Sequence, residues 1–148
     1  MSEGLVSTPV VIDTNIVLDI WVYQDLATPS LLEALEQGTV QWLATPPMRE
    51  ELLRVLGYPH LVQRMVLRGV RAPDVMALFD SHTERVVAAE RAPYVCNDAD
   101  DQKFIDLAVQ HTAALHSKDA QVLCMKKRLE RCGVTLNPVD EHSLGTVV

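Results

Sequence analysis

The 148-residue sequence predicts an α/β fold built on a parallel sheet, and three observations carry that prediction. A short, continuous β-branched run, Val10-Val11-Ile12, stands near the start, as suits a strand buried on both faces of a parallel sheet. Helical patterns with their own start and stop signals then alternate with further short apolar runs. Finally, 48% of the residues are apolar and 22% charged, far from the signature of disorder. A chain of this size buries roughly 70% of the surface its unfolded form exposes, enough for one full core.

The elements follow in order. The first run ends in Asp13, and a helix is expected from near Ile16 with Asp13 or Asn15 as its cap. Thr28 reads as the N-cap of a second helix, with Pro29 at its first position and Gly38 past its end. Thr39 to Ala44 (TVQWLA) reads as a strand. Thr45-Pro46 opens the next helix, which Gly57 and Pro59 stop. Shorter helical patterns follow around His60 to Arg68 and Asp74 to Thr83, then a strand candidate, Arg85 to Ala89. Beyond a loop, Asp98 to Gln110 places Phe104, Ile105, Ala108 and Val109 at helical spacing. Thr112 to Ser117 reads as a strand leading into a helix from Asp119 to Arg131, and Gly133 to Pro138 as a last short strand. The alternation implies a parallel sheet with right-handed crossovers. Nothing in composition divides the chain, so a single domain over 1–148 is expected, with its core at about 10–138 and short flexible termini.

Several function classes are excluded early. No apolar run approaches the ~18 residues of a membrane span, and no signal peptide opens the chain, so a cytoplasmic protein without a membrane role is expected. Cys96, Cys124 and Cys132 lack CxxC spacing and suggest neither a disulfide framework nor a thiolate zinc site. There is no GxSxG, HExxH or P-loop. His60, His82, His111, His116 and His142 are scattered and read as structural or surface residues, with strand alternation turning His116 away from the face used by Ser117. A net charge of −7 repels polyanions, unless several acids gather around a divalent cation, which reverses the local sign.

Acids at strand ends therefore deserve inspection, because parallel sheets bind ligands beyond the carboxyl ends of their strands. Asp13 ends the first strand and Asp119 follows the strand candidate ending at Ser117. Asp98, Asp100 and Asp101 crowd the start of one helix. One cap does not need three acids, and their repulsion favours a bound cation. Glu51 borders an apolar helical stripe, where a solvated surface acid is the commoner reading, and Asp19 lies well inside its helix.

Four stretches in this order, VVIDTNIVLD, TPPMREELLRVLGYP, CNDADDQKFIDLA and LHSKDAQVL, resemble the motifs of PIN-domain ribonucleases. The likeness runs from about Val10 to Pro138 and is strongest to toxin components of bacterial toxin–antitoxin systems. It implies a three-layer α/β/α sandwich around a parallel sheet, and a catalytic quartet formed by Asp13, Glu51, Asp101 and Asp119. Of these, Asp13, Asp101 and Asp119 would bind Mg²⁺ or Mn²⁺, supported by Asn15, Ser117 and Asp98. Glu51 is preferred to Glu50 because an apolar LxxVL-like run follows it. Gln121 stands where relatives often carry a further acid, which weakens the support of Asp119.

The implied activity is metal-dependent hydrolysis of single-stranded RNA, with an antitoxin protein and a second copy of the chain as further candidate partners. Phosphate contacts would come from Met125 to Arg131 (MKKRLER) and from Arg68 with Arg71, although a solvated helix face is the commoner role of such charges. Two alternatives stand beside this reading. An inactive PIN-fold module that binds RNA or protein keeps the acids without turnover. A phosphatase attacking through Asp13 would need an acid two residues on, where Asn15 stands.

Overall fold

The β-branched run forms the centre of the sheet. In the computed structural model, which describes residues 8–24, 29–96 and 98–138, strand β1 (Thr8–Ile12) lies between β2 (Val40–Ala44) and β4 (Ala114–His116). Strand β3 (Thr83–Arg85) pairs with the outer edge of β2, giving the order β3-β2-β1-β4 with every pairing parallel. Val10, Val11 and Ile12 are at most 2% exposed, as a strand covered on both faces requires. In register, Val10 faces Trp42 on one side and Ala114 on the other, and Ile12 faces His116.

Among the described residues, eight helices flank the sheet in a three-layer α/β/α arrangement: α1 (Thr14–Trp21), α2 (Pro29–Gln37), α3 (Pro46–Val55), α4 (Pro59–Arg68), α5 (Ala72–His82), α6 (Gln102–His111), α7 (Ala120–Leu123) and α8 (Lys126–Arg131). Proline sits in the first turn of α3, α4 and α5, where a missing N–H leaves no bond unmade. Gly69 ends α4 in the left-handed region, at φ 70°, where a side chain would be strained. The Trp42 ring stacks obliquely on Trp21 at 5.6 Å and meets the Phe79 edge at 5.1 Å, so α1, β2 and α5 share one aromatic contact. Ile105, Leu107, Leu115 and Leu129 bring α6, β4 and α8 into the same core. Among the described residues, no helix is long and apolar enough to cross a membrane.

Three expectations change. The strand expected at Arg85 to Ala89 lies instead at Thr83–Arg85, because its neighbour β2 ends at Ala44. After Val86 N–H bonds to the Ala44 carbonyl (2.9 Å), no partner edge remains. The helix expected from Asp119 to Arg131 breaks between α7 and α8. A tighter turn there, Met125 N–H to Val122 O at 2.9 Å, lets Val122, Met125 and Leu129 all reach the core. The strand expected at Gly133 to Pro138 is a single parallel bridge, Leu115 to Leu136, since Asn137 turns the chain at φ 50°. The expected cap Thr28, His142 and the two expected flexible termini lie outside the described residues.

Candidate metal centre

The strand order steps outward from β1 through β2 to β3 and then returns to the other side of β1 for β4. The strand order therefore reverses at β1 and β4, and sheets of this kind bind ligands beyond the carboxyl ends of the strands at that point. Asp13 follows β1 directly, and its N–H extends the ladder to the His116 carbonyl at 2.9 Å. The Asp13 carboxylate is 3% exposed and accepts two hydrogen bonds, from Asn15 N–H at 3.4 Å and from the Ser117 hydroxyl at 2.7 Å. Asp13 thus caps α1 while its other carboxylate oxygen is held by Ser117 at the end of β4. The Asn15 side chain is exposed, and the bond to Asp13 comes from its backbone.

Ser117, itself buried, also accepts the Asp119 N–H at 3.2 Å, so one hydroxyl orients two acid-bearing loops. Asp119 caps α7 through Gln121 N–H at 2.8 Å, and Asp98 caps the 3₁₀ turn Ala99–Asp101 through Asp100 N–H at 3.0 Å. Carboxylate oxygens of Asp98, Asp101 and Asp119 lie within 4.8 Å of one another. Asp101 is 6% exposed, and its Oδ2 is buried with no hydrogen-bond partner among the described residues. Burial, joined by the charges of Asp13, Asp119 and Asp98, pushes the Asp101 carboxyl up to about 7. Burial also raises Asp13, against the bonds from Ser117 and Asn15 that lower it, with Glu51 and Asp119 adding to the rise.

Glu51 takes a different place. It reaches from α3 to accept the Thr14 hydroxyl and to pair with the Lys103 ammonium at 2.5 Å, which also donates to the Asp100 carbonyl at 2.7 Å. Its charge is felt by Asp13, but its oxygens are outside the group formed by Asp98, Asp101 and Asp119. The tightest acid group thus contains Asp98, while Asp13 stands beside it on Ser117. His116 is half-buried, and burial pushes its ring down to about 4, so it is neutral at pH 7 and lends the site its backbone carbonyl.

A family model for the PIN domain matches residues 9–120, most of the chain and all of the acids just described. The chain belongs to the PIN domain family. No curated protein matches the sequence. PIN domains are generally nucleases and typically bind divalent metal ions, which agrees with an acid cluster at the carboxyl ends of β1 and β4.

Other residues of this PIN domain carry the site without any motif to announce them. Gln102 is buried: its carbonyl accepts Cys96 N–H at 2.6 Å, and its amide donates to Tyr94 O at 3.1 Å and Asp106 Oδ1 at 2.7 Å. Asp106 in turn accepts Ala92 N–H at 2.8 Å, so this pair, one helical turn apart on α6, fixes the loop that delivers Asp98. Asn137 forms a reciprocal pair with Ser117, accepting its N–H at 2.9 Å and donating to its carbonyl at 2.7 Å. Asp19 is buried against Lys118 at 2.8 Å and so tethers the segment between Ser117 and Asp119. For Gln102, Asp106 and Asp19 the only signal in sequence is a polar residue inside an apolar helical pattern, and for Asn137 an Asn-Pro pair at a chain turn, both too common to select them.

Proposed function

We propose that this PIN domain is a Mg²⁺- or Mn²⁺-dependent endoribonuclease that hydrolyses single-stranded RNA, acting in the cytoplasm as the toxin of a toxin–antitoxin pair. The observation that carries this reading is the Asp101 carboxylate: buried, with one oxygen that has no partner among the described residues, beside Asp98 and Asp119. An unsatisfied buried acid among like charges costs free energy, and a hard dication bound by carboxylate oxygens offsets that cost. The donor set therefore fits Mg²⁺ or Mn²⁺. Asp98, Asp101 and Asp119 would hold it, with Asp13 alongside, and the ion would supply a polarised phosphoryl oxygen and a bound water of lowered pKa.

The remaining work falls to the chain. Ser117 donates its proton to Asp13 and accepts from Asp119 N–H, so its hydroxyl is a positioning group and not a nucleophile. The Gln102–Asp106 pair holds the Asp98 loop against the repulsion of its neighbours. Glu51 and Lys103 neutralise each other next to the cluster. One observation favours a second reading, a module that binds RNA or protein without turnover: Glu51 is already engaged by Thr14 and Lys103.

Incubation with single-stranded RNA and Mg²⁺ or Mn²⁺ separates the two. Cleavage abolished by EDTA and by Asp13→Asn is the expected result, whereas cleavage that survives either change defeats the proposal. Calorimetry showing no divalent-ion binding would favour the non-catalytic module. The toxin role predicts that expression arrests growth and that the product of the adjacent reading frame relieves the arrest.

A further inference from the structure

Helices α7 and α8 carry a basic groove that the acid cluster does not explain. Lys126, Lys127, Arg128 and Arg131, with Leu123 and Cys124, line a concavity of about 410 Å³. All four cations are exposed, and among the described residues none forms an ion pair, not even with Glu130 on the same helix. Of the other nine basic residues, four form ion pairs: Arg49 and Arg85 share Asp80, Lys103 holds Glu51 and Lys118 holds Asp19, while Arg68 donates to the Tyr23 carbonyl at 2.8 Å. Four of the 13 basic residues thus gather in one groove, without an ion pair among the described residues, in a chain whose net charge is −7. Lys127 and Arg131 are four residues apart on one helix, a spacing at which like charges destabilise unless an anion lies between them.

The groove is joined to the acid site by backbone. Leu123 on its lip donates its N–H to the Asp119 carbonyl at 2.9 Å, so the groove begins about one helical turn, roughly 6 Å of rise, beyond the acid. No aromatic ring lines it, which leaves backbone phosphate and not stacked bases as the matching chemistry.

We propose that this groove binds the phosphate backbone of the single-stranded RNA whose scissile phosphate lies at the acid cluster. The inference rests on the ribonuclease reading for its ligand, but it is tested by binding, so the two can fail separately.

The test measures anisotropy of a fluorescent single-stranded RNA with the full-length chain in EDTA, where turnover plays no part, across a salt series. Lys127→Gln/Arg131→Gln is compared with Arg64→Gln/Arg91→Gln, which removes the same charge from exposed sites outside the groove. The groove variant is expected to bind at least about tenfold more weakly at low salt, with the slope of log K against log salt reduced by about 1.4, or about 0.7 per lost phosphate contact. The other pair should leave the slope unchanged. Equal losses in both variants, or an unchanged slope in the groove variant, overturn the proposal. Displacement of the RNA by polyglutamate at matched charge also overturns it, assigning the groove to an acidic protein instead. Binding as expected without any Mg²⁺-dependent cleavage would sink the ribonuclease reading and leave the groove standing.

Discussion

Replacing Asp101 by Asn should stabilise the metal-free protein above neutral pH, an unusual direction for a change at a buried position. In the folded state burial and three neighbouring acids lift this carboxyl from 3.8 to about 7. At about 1.4 kcal/mol per tenfold change in proton affinity, this amounts to at most about 4 kcal/mol of destabilisation once the group ionises. Water reaches the cluster past the partly exposed Asp98 and Asp119, and that screening reduces the figure to about 2 kcal/mol. Because the folded pKa is the higher one, the stability present below 3.8 is lost as pH rises through about 7. Asn cannot ionise. In EDTA at about pH 8 the variant should therefore melt above the parent by about 4 to 8 °C for a chain of this length, with little difference at about pH 4. Excess Mg²⁺ should reverse the order, since binding stabilises only the protein that keeps its ligand. Scanning calorimetry at the two pH values, with and without the ion, reads all four states. A variant that melts below the parent at the higher pH in EDTA, or an equal rise of both proteins with Mg²⁺, would refute the electrostatic account of the cluster.

Four further outcomes follow from the geometry. Asp119→Asn should keep the fold by circular dichroism, because an amide can still cap α7, while RNA cleavage falls by at least about 100-fold. Lys103→Met frees one Glu51 oxygen beside the acids, and titration calorimetry should show several-fold tighter Mg²⁺ binding at a stability cost of about 1 kcal/mol. Asn137→Ala strips Ser117 of both backbone partners, costing about 1–3 kcal/mol in urea denaturation and lowering metal affinity through the loosened Asp13–Ser117 bond. Gly133→Ala should cost about 1–3 kcal/mol, since the residue sits at φ 82° and a Cβ there would lie 2.9 Å from Thr112 Cγ2. A melting temperature within a degree of the parent would contradict that strain.

What the residue pattern makes legible is whatever depends on neighbours in the chain. Val10 to Ile12 reads as a buried strand because all three side chains are β-branched and apolar. The start of α3 is visible in Thr45-Pro46, whereas Pro59, read as the stop of α3, also opens α4, and the crowding of Asp98, Asp100 and Asp101 already implies a cation. The length of a strand is not visible in this way. Arg85 to Ala89 has strand composition, yet Val87 to Ala89 stay outside the sheet because β2 ends first. The single helix drawn from Asp119 to Arg131 fails for a related reason: burying Val122, Met125 and Leu129 together favours a tighter turn over unbroken helical geometry.

The sequence by itself determined the alternation of strands and helices, the acids at the ends of β1 and β4, and the ordered motifs of a PIN domain, since each is written in local spacing and residue type. Only the tertiary structure decided that Asp98 belongs with Asp101 and Asp119, that Glu51 is held by Thr14 and Lys103, and that Asp19 is a tether and not an idle helical acid. It also decided that Lys126, Lys127, Arg128 and Arg131 line one groove, with no ion pair to an acid among the described residues. The physical reason is common to all of these. Which charges compensate one another depends on distances of a few ångströms between elements far apart in the chain, and no periodicity along the chain encodes those distances.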